Sequence, residues 1–184
     1  MNNRSIMSHP LVVRAVEFAT QGHAAVNQLR KYSQLPYIVH PLAVMDILLE
    51  HCSQEVTPEM LAAAACHDLV EDTHITLDDV RQALGDQVAD LVFWLTDVSK
   101  PADGPRRVRK AIDLVHTAAA PPEAKSIKCA DLIDNAPSIA THDPGFARVW
   151  LKEKANLLEV LHDADPGLLA RAYDVYSECL AKLS

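Results

Sequence analysis

The sequence predicts an all-α protein that folds as one compact domain over residues 1–184. Apolar residues recur at helical spacing along most of the chain. No segment of useful length alternates between apolar and polar residues as a half-buried strand does. The chain contains only 5 glycines, and their positions suit helix ends and loops rather than strand bulges. Because an average helix has about 11 residues, we expect roughly eight to ten helices.

Capping residues and prolines set the boundaries of the predicted helices in the first half of the chain. Thr57 followed by Pro58 is typical of a helix start, because the hydroxyl caps the helix and proline suits its first turn. Thr76 and Asp79 have the spacing of a capping box, and Gly85 is suited to end that helix. These signals predict helices over residues 11–25, 41–51, 58–70, 76–84 and 86–96.

A polar loop over residues 99–105 separates these helices from those of the second half. Pro137 is expected to bend or end its helix, because proline lacks the amide proton of the helical ladder. Asp165 before a proline predicts the capped start of the last helix. We expect the helices of residues 144–183 to pack on a core that carries the motifs of residues 13–138. The predicted helices cover residues 106–118, 124–136, 144–162 and 167–183.

The charge balance limits the partners of the protein. Its 17 lysines and arginines against 25 aspartates and glutamates give a formal net charge of −8, which argues against a non-specific nucleic-acid binder. A local basic cluster can still form on an acidic protein and bind an anionic small molecule. We therefore expect no nucleic-acid partner, and the sequence leaves an oligomer open.

Cysteine spacing and hydropathy indicate a cytoplasmic protein without a membrane partner. None of the 4 cysteines belongs to a CxxC pair, which argues against a zinc ribbon or a thioredoxin-like site. Cys66 and Cys129 lie in apolar runs and are expected to be buried free thiols. The first ten residues lack the apolar region of a signal peptide. Residues 60–66, the longest strongly apolar stretch, are too short to cross a bilayer.

Residues 60–66 predict a buried helix that runs directly into four ionisable residues. His67, Asp68, Glu71 and Asp72 would span about 140° of one side of that helix, at about 100° per residue. Three carboxylates on one patch repel one another, and their burial is costly unless a cation compensates their charge. The pattern therefore predicts a metal site, and the alternative is the solvated end of a helix.

Two further segments could complete this site. His40 lies between an extended segment and a helix start, which fixes its direction, although a lone histidine is more often a core or surface residue. Lys128, Asp131, Asn135 and Ser138 form a polar stripe on an otherwise apolar helix, which by itself would also suit an ordinary exposed face. Two histidines and two carboxylates from three helices favour a hydrolytic ion such as Mn²⁺, Fe²⁺ or Zn²⁺.

A basic run at the start of the helix of residues 106–118 offers cations for a phosphorylated substrate. Arg106, Arg107, Arg109 and Lys110 form the densest cluster of positive charge in this acidic chain. The paired N–H donors of arginine suit phosphate oxygens, and we expect Arg107 and Arg109 to contact the substrate. The alternative is a solvated helix face.

Three motifs in this order resemble the HD-domain hydrolases of the RelA/SpoT type. They are PYIVHP at residues 36–41, HDLVEDT at residues 67–73, and Ala-Asp at residues 130–131 followed by Asn135. The resemblance covers residues 13–138. The chain is too short for the synthetase and regulatory domains of that family, so it is similar to the stand-alone small alarmone hydrolases. The resemblance implies a compact HD-domain fold and hydrolysis of the 3′-pyrophosphate of ppGpp or pppGpp, which leaves GDP or GTP.

The resemblance also implies roles for individual residues. One Mn²⁺ ion is implied, and its protein ligands match His40, His67, Asp68 and Asp131. Glu71 and Asp72 match the pair that positions and activates the attacking water. The positions that match the site of the guanine nucleotide are Arg30, Lys31, Tyr37, Asn135 and Ser138. Lys128 lies on the same helix face as Asp131, where its charge suits the substrate phosphates.

The sequence departs from the family pattern at three places. The loop before Pro36 has Ser-Gln-Leu at residues 33–35, where the family has a shorter loop with a glycine. The segment from His23 to Arg30 is also longer than in the family. Leu132 stands where a basic residue commonly follows the aspartate. These departures bear on the substrate-binding loop and on the charge near the phosphates, and they leave the matched metal ligands intact.

Two alternative functions remain open from the sequence. The site could hydrolyse another phosphorylated nucleotide, for example a nucleotide 2′- or 3′-phosphate such as NADPH. The chain could instead be a nucleotide-sensing module without activity. The presence of all four matched ligands together with Glu71 and Asp72 argues against the second alternative.

Overall fold

A computed structural model describes residues 3–183 of the chain. Within this range the chain forms eleven α-helices, a 3₁₀ turn at Pro101–Asp103 and no β-strand, which confirms the predicted all-α class. The helices are α1 (Asn3–Met7), α2 (Pro10–Ala25), α3 (Val39–His51), α4 (Pro58–Ala65), α5 (Leu69–Asp72), α6 (Leu77–Leu84), α7 (Asp86–Leu95), α8 (Arg106–Ala118), α9 (Pro122–His142), α10 (Pro144–Val160) and α11 (Pro166–Leu183).

Helix α9 is the element on which much of the fold is assembled. It packs against α3, α4, α7, α10 and α11. Buried side chains such as Ile127, Leu132 and Ala136 occur along most of its length, because neighbours cover it on several sides. Asp131, near the middle of α9, is therefore held by a helix that its neighbours keep in place.

Helix α4 is apolar on every side from Met60 onward, where other helices surround it. Its residues from Met60 to Ala65 are all buried, and it packs against α2, α3, α7 and α9. Four consecutive alanines at positions 62–65 have short side chains, which allow close approach of these neighbours. Polar groups that follow α4 directly are therefore held inside the molecule.

The predicted capping interactions are present. The Thr57 hydroxyl accepts a hydrogen bond from a backbone amide of α4. Thr76 and Asp79 form a reciprocal capping box at the start of α6. Asp165 accepts bonds from two backbone amides at the start of α11. Each of these side chains satisfies amides that the first turn of a helix leaves without an intrahelical partner.

The helix predicted over residues 58–70 is wrong beyond Ala65, because the chain turns there. α4 ends at that residue, and the short helix α5 begins only at Leu69. In a continuous helix the carbonyl of Ala64 would accept the amide four residues later. Here the imidazole Nδ1 of His67 lies 2.8 Å from that carbonyl oxygen. The turn directs the ionisable residues that follow α4 to different neighbours, so they do not share one helical stripe.

Helix α9 continues through Pro137 to His142, so of the two expectations for Pro137, a bend or an end of the helix, the end near Ala136 is wrong. Ala136 and Ala140, on either side of the proline, are buried against neighbouring helices. This packing maintains the helical path, although the proline contributes no amide hydrogen bond. The result is a helix of 21 residues that carries the predicted polar stripe without interruption.

All four cysteines are free, and Cys66 and Cys129 are buried as predicted. Burial raises the pKa of both of these thiols to about 12, so they stay protonated at neutral pH and behave as small core residues. Across residues 3–183, no helix combines the length and the apolar character needed to cross a membrane.

Candidate metal centre

Four side chains from three parts of the chain converge between α3, α4 and α9. His40 lies in the first turn of α3, His67 and Asp68 lie in the turn after α4, and Asp131 lies on α9. The two imidazole Nε2 atoms are 3.2 Å apart. Asp131 Oδ1 lies 3.2 Å from Nε2 of His40 and 3.7 Å from Nε2 of His67. Asp68 Oδ2 lies 3.6 Å and 3.0 Å from the same two atoms.

Hydrogen bonds on the far sides of both imidazoles fix their orientation. Nδ1 of His40 lies 2.6 Å from Asp134 Oδ2, and Nδ1 of His67 lies 2.8 Å from the carbonyl oxygen of Ala64. Because an ionised carboxylate and a carbonyl only accept hydrogen bonds, each Nδ1 carries a proton. Each Nε2 of a neutral ring then presents a lone pair toward the cluster. Two such lone pairs and two carboxylates form a donor set that fits a divalent cation.

The charges in this cluster shift one another's pKa values. Burial by itself would lower the pKa of His40 and His67, but the adjacent carboxylates raise both. Burial by itself would raise the pKa of Asp68 and Asp131, but the two imidazoles hold both below the usual range. Protons and a metal ion therefore compete for the same Nε2 atoms.

Three polar side chains hold the carboxylates of the cluster in place. Tyr37 donates its hydroxyl to Asp68 Oδ2 at 2.6 Å, and Asn135 donates its side-chain amide to Asp131 Oδ1 at 2.6 Å. Burial and the nearby carboxylates raise the pKa of Tyr37, so its hydroxyl keeps the proton that it donates. Arg30 donates to Asn135 Oδ1 at 3.0 Å and thereby orients that amide.

Asp134 belongs to the site, and the sequence did not single it out. Its Oδ2 lies 2.6 Å from Nδ1 of His40 and accepts a hydrogen bond from Arg30 at 3.1 Å. It therefore fixes the ring of a candidate ligand without belonging to the ligand set. Its position three residues after Asp131, about one helical turn along α9, is the signal that could have found it.

The two carboxylates that match the water-activating pair lie on α5, next to the cluster. Glu71 Oε1 accepts a hydrogen bond from the backbone amide of Asp97 at 2.6 Å, and Asp72 Oδ2 accepts one from Gln28 at 2.7 Å. Glu71 is an exposed residue, yet nearby protein atoms partly desolvate its carboxyl group. This desolvation raises its pKa to about 7, against the opposing effect of Lys128. A carboxyl group with this pKa can exchange a proton near neutral pH.

A cavity of about 310 Å³ adjoins the cluster, and we refer to it as the smaller cavity. Tyr37 and Asn135 line it and also hold the cluster carboxylates. The rings of Tyr32 and Phe146 add flat surfaces of the kind that a nucleobase contacts. All five positions that match the nucleotide site line this cavity, namely Arg30, Lys31, Tyr37, Asn135 and Ser138.

The longer loop before Pro36 forms a tight turn beside the smaller cavity. The amide of Arg30 donates to the carbonyl of Leu35 at 2.9 Å, and Gln34 adopts a φ of 57°. Ser33 lines the cavity, whereas Leu35 is 51% exposed and is not among its lining residues. The turn therefore accommodates its longer sequence mostly outside the cavity.

A second cavity of about 820 Å³, the larger cavity, lies among α8, α9 and α10 and is lined by six basic and three acidic residues. Asp97 and Lys128 connect it with the candidate site, because the first donates its amide to Glu71 and the second lowers the pKa of the same carboxyl group. Of the predicted phosphate contacts, Arg107 and Lys128 line this cavity and Arg109 does not. The excess of positive charge suits anionic groups.

Lys154 is a cation of the larger cavity that the sequence did not single out. Its ammonium group lies 4.9 Å from the centre of the Trp150 ring. Burial lowers its pKa, and the charge of Asp131 partly opposes that shift. It reaches the cavity because α10 packs against both α8 and α9, a contact that sequence spacing does not reveal.

A family model for the HD domain matches residues 15–154 of the chain. This range contains the four side chains of the candidate metal centre and the residues named above for both cavities. The family match and the cluster of histidines and aspartates therefore fall in the same part of the chain.

Curated proteins from animals and bacteria are similar in sequence. A guanosine-3′,5′-bis(diphosphate) 3′-pyrophosphohydrolase MESH1 of Xenopus tropicalis is 34% identical over 126 residues, which are 68% of this chain and 67% of that protein. The human protein of the same name is 37% identical over 125 residues, or 67% and 66% of the two chains. A probable GTP pyrophosphokinase of Mycobacterium leprae is 40% identical over 126 residues, 68% of this chain. The chain spans 11–18% of the length of this relative and of two other long ones.

Solved structures share the fold. One, described as a metazoan orthologue of SpoT that hydrolyses ppGpp, has a TM-score of 0.79 and 25% identity, and the match covers 92% of this chain and 95% of that one. Another, from Listeria monocytogenes EGD-e, has a TM-score of 0.62 at 24% identity and shows likeness of fold alone, over 78% of this chain and 97% of that one.

Proposed function

The chain belongs to the HD-domain family, and from this premise we propose that it hydrolyses ppGpp and pppGpp. In the proposed reaction, water cleaves the bond between the ribose 3′-oxygen and the pyrophosphate, which releases GDP or GTP and pyrophosphate. The observation that carries the proposal is the convergence of His40 and His67, with oriented Nε2 atoms, on two carboxylates. Relatives named 3′-pyrophosphohydrolase, at 34% and 37% identity, support this choice of reaction.

We propose that His40, His67, Asp68 and Asp131 hold one Mn²⁺ ion. A mixture of imidazole and carboxylate ligands is suited to such an ion. The bonds from both Nδ1 atoms to acceptors favour binding, because they orient the rings and increase the basicity of Nε2. When bound, the ion would supply Lewis acidity to a phosphoryl oxygen and to water.

Glu71 is the proposed acceptor of the proton that the attacking water loses. Its pKa of about 7 leaves a substantial fraction ionised at neutral pH and still makes it an effective base. The amide of Asp97 holds one of its oxygens, so the carboxylate keeps a fixed direction. Asp72, the next residue on α5, is proposed to orient the same water through its own carboxylate.

The two cavities are proposed to bind different ends of the substrate. In the smaller cavity, Asn135 and Ser138 offer hydrogen bonds to the nucleoside beside aromatic surfaces. In the larger cavity, Arg107, Lys128 and Lys154 offer positive charge to phosphate groups. Ion pairs already neutralise some of the other basic residues there, such as the bidentate pair of an arginine with a glutamate of α10.

We propose that the protein acts in the cytoplasm on a free guanine nucleotide. Four free cysteines are compatible with a reducing compartment. A net charge of −8 is unfavourable for binding nucleic acid, while the basic lining of the larger cavity favours a small anion. The substrate is therefore a small molecule in this proposal.

A product assay with the purified full chain tests the proposed function. Metal-free protein would be supplied with MnCl₂ and ppGpp, with NADPH and simple nucleotides in parallel. We expect GDP and pyrophosphate, and only when Mn²⁺ is present. Release of phosphate from another nucleotide while ppGpp stays intact would overturn the proposed substrate. Metal-loaded protein that binds nucleotides and turns over none of them would indicate a sensing module.

A further inference from the structure

His23 is a buried polar residue that none of the proposed roles uses. It lies near the end of α2, and only 1% of its surface is exposed. Its Nδ1 lies 2.6 Å from Gln28 Oε1, and its Nε2 has no hydrogen-bond partner within the described part of the chain. Gly22 lets α2 approach α5 and the segment after it closely, because a Cβ at position 22 would lie 2.6–2.7 Å from the side chains of Ile75 and Leu69. Burying an imidazole in this way costs more free energy than burying an apolar side chain.

Gln28 connects this histidine with Asp72. The side-chain amide of Gln28 donates from Nε2 to Asp72 Oδ2 at 2.7 Å, while its Oε1 faces His23. Only this orientation satisfies both contacts, because an ionised carboxylate accepts and cannot donate. The imidazole must then donate from Nδ1. The backbone supports the same contact, since the Gln28 amide donates to the His23 carbonyl at 3.0 Å after a turn in which Asn27 has a φ of 53°.

The same imidazole also contacts a residue that holds a candidate metal ligand. The ring of His23 lies 4.6 Å from the ring of Tyr37, with an angle of 43° between their planes. Tyr37 in turn donates its hydroxyl to Asp68 Oδ2 at 2.6 Å. A single buried side chain therefore supports the hydrogen-bond partners of two carboxylates in the site, Asp68 and Asp72.

We propose that His23 and Gln28 are positioning residues, which hold Asp72 as a fixed acceptor beside the attacking water. The inference rests on the proposed function, because the role of Asp72 does. The hydrogen bonds have one direction of donation: His23 donates to Gln28, and Gln28 donates to Asp72. Without the Nδ1–H donor, the Gln28 amide could rotate and present its oxygen to the carboxylate, which would repel it. The histidine tautomer thus determines which way the amide faces.

Steady-state kinetics with Mn²⁺ and ppGpp test this pair through Gln28, which is only half-buried. Gln28→Leu removes both hydrogen bonds, and we expect kcat to fall about 10-fold while KM changes less than about twofold. Gln28→Glu places a second carboxylate against Asp72 and should lower kcat about 100-fold. Gln21→Leu and Gln21→Glu are matched controls at an exposed position on α2 and should keep the wild-type kcat.

Wild-type kcat values in both Gln28 variants would overturn the inference. An effect on KM with kcat unchanged would overturn it as well. Inactive wild-type protein would refute the proposed function instead. An imidazole ¹⁵N spectrum of the metal-free protein supplies a readout that does not depend on activity. We expect neutral His23 with its proton on Nδ1 in the wild type, and movement of that proton toward Nε2 in Gln28→Leu. A proton on Nε2 in the wild type would contradict the proposed direction of the bonds.

Discussion

The buried carboxylate of Asp165 and the half-buried carboxylates of the candidate metal centre are stabilised in different ways. Asp165, which is 4% exposed, is surrounded by fixed donors at the junction of α11 with the end of α3. The carboxylates of the candidate metal centre face imidazole nitrogens, whose lone pairs bind a proton or a cation. The backbone amides that donate to Asp165 at 2.9–3.1 Å are those of Ser53, Gln54, Gly167 and Leu168.

This difference distinguishes a charge whose partners do not titrate from charges whose partners can also bind a cation. Burial by itself would raise the pKa of Asp165, but the amide donors lower it to about 2, and amides do not titrate. Asp68 and Asp131 depend on groups that exchange protons, so their charge balance changes with pH and with metal binding. The first arrangement stabilises the fold, and the second provides a site that can bind a cation.

Asp68→Ala should have the largest effect on activity, because it removes one of the four proposed metal ligands. We expect Mn²⁺ binding and ppGpp turnover to disappear together, as measured by calorimetry and by product release. The metal-free variant should unfold at a lower temperature than the wild type, because His67 and the Tyr37 hydroxyl lose the carboxylate that stabilises them, so Mn²⁺ binding is compared at a temperature where both proteins are folded. Wild-type affinity for Mn²⁺ in this variant would remove Asp68 from the ligand set.

Glu71→Gln separates metal binding from proton transfer. The amide retains the shape of the side chain but cannot accept the proton, so kcat should fall about 10²–10⁴-fold while Mn²⁺ binding persists. The wild-type kcat should rise with pH through about 7, since in the proposed mechanism Glu71 acts in its ionised form, which predominates above its pKa. Near-normal turnover by the variant, or the same pH profile in its residual activity, would exclude Glu71 as the base.

Asp165→Ala tests the other carboxylate of the comparison, and it should change stability and leave metal binding intact. Loss of the carboxylate leaves several buried amides without acceptors, and we expect the free energy of unfolding to fall by about 3 kcal/mol. Mn²⁺ affinity at a temperature where the protein stays folded should match the wild type. Asp174→Ala, at an exposed position on the same helix, is the control. Equal stability of the two variants would contradict the structural role.

The pH dependence of stability sharpens the same contrast. The folded-state pKa of Asp165, about 2, lies below the ordinary value of 3.8. The contribution of ionised Asp165 to the free energy of unfolding is therefore fully present above about pH 4 and is lost as the pH falls toward 2. In urea unfolding, the difference in the free energy of unfolding between the wild type and Asp165→Ala should become smaller as the pH falls through this range. A difference in the free energy of unfolding that stays constant over this pH range would show that ionisation of Asp165 does not contribute to stability.

Lys154→Met should have the smallest effect, on substrate affinity. Methionine keeps much of the apolar stem beside Trp150 and removes the charge from the larger cavity. We expect KM for ppGpp to rise about 10-fold with kcat nearly unchanged, because the proposed phosphate contact would be lost in the ground state and the transition state alike. Lys182→Met, at an exposed position on α11, is the control, and an equal KM in the two variants would argue against phosphate binding there.

The sequence predicted much of the fold because helix signals are local. The caps at Thr57 and Thr76 depend on residues three positions away, and both are present. The break after Ala65 and the continuity of α9 through Pro137 were mispredicted, because a side chain in one case and tertiary packing in the other decide them. Leu132 also shows the effect of packing, since it is fully buried in the core and faces neither cavity.

His67 and Asp68 could be singled out from the sequence because ionisable residues are conspicuous at the end of an apolar helix, whereas the ligand roles of His40 and Asp131 were implied by the resemblance to the HD-domain hydrolases. Their partners could not, since hydrogen bonds between residues far apart in the chain leave no periodic pattern. Asp134 and His40 are 94 residues apart, and Gln28 and Asp72 are 44 apart. Such contacts exist only after α2, α3, α5 and α9 have packed.

The central claim is that a cation held by the converging histidines and aspartates is required for hydrolysis of the 3′-pyrophosphate. The most direct test titrates metal-free protein with Mn²⁺ while pyrophosphate release from ppGpp is followed. We predict no release without the ion, a rise in rate that saturates at one Mn²⁺ per chain, and no rise for Asp68→Ala. Full turnover by metal-free protein, or none by wild-type protein that has bound Mn²⁺, would contradict the account.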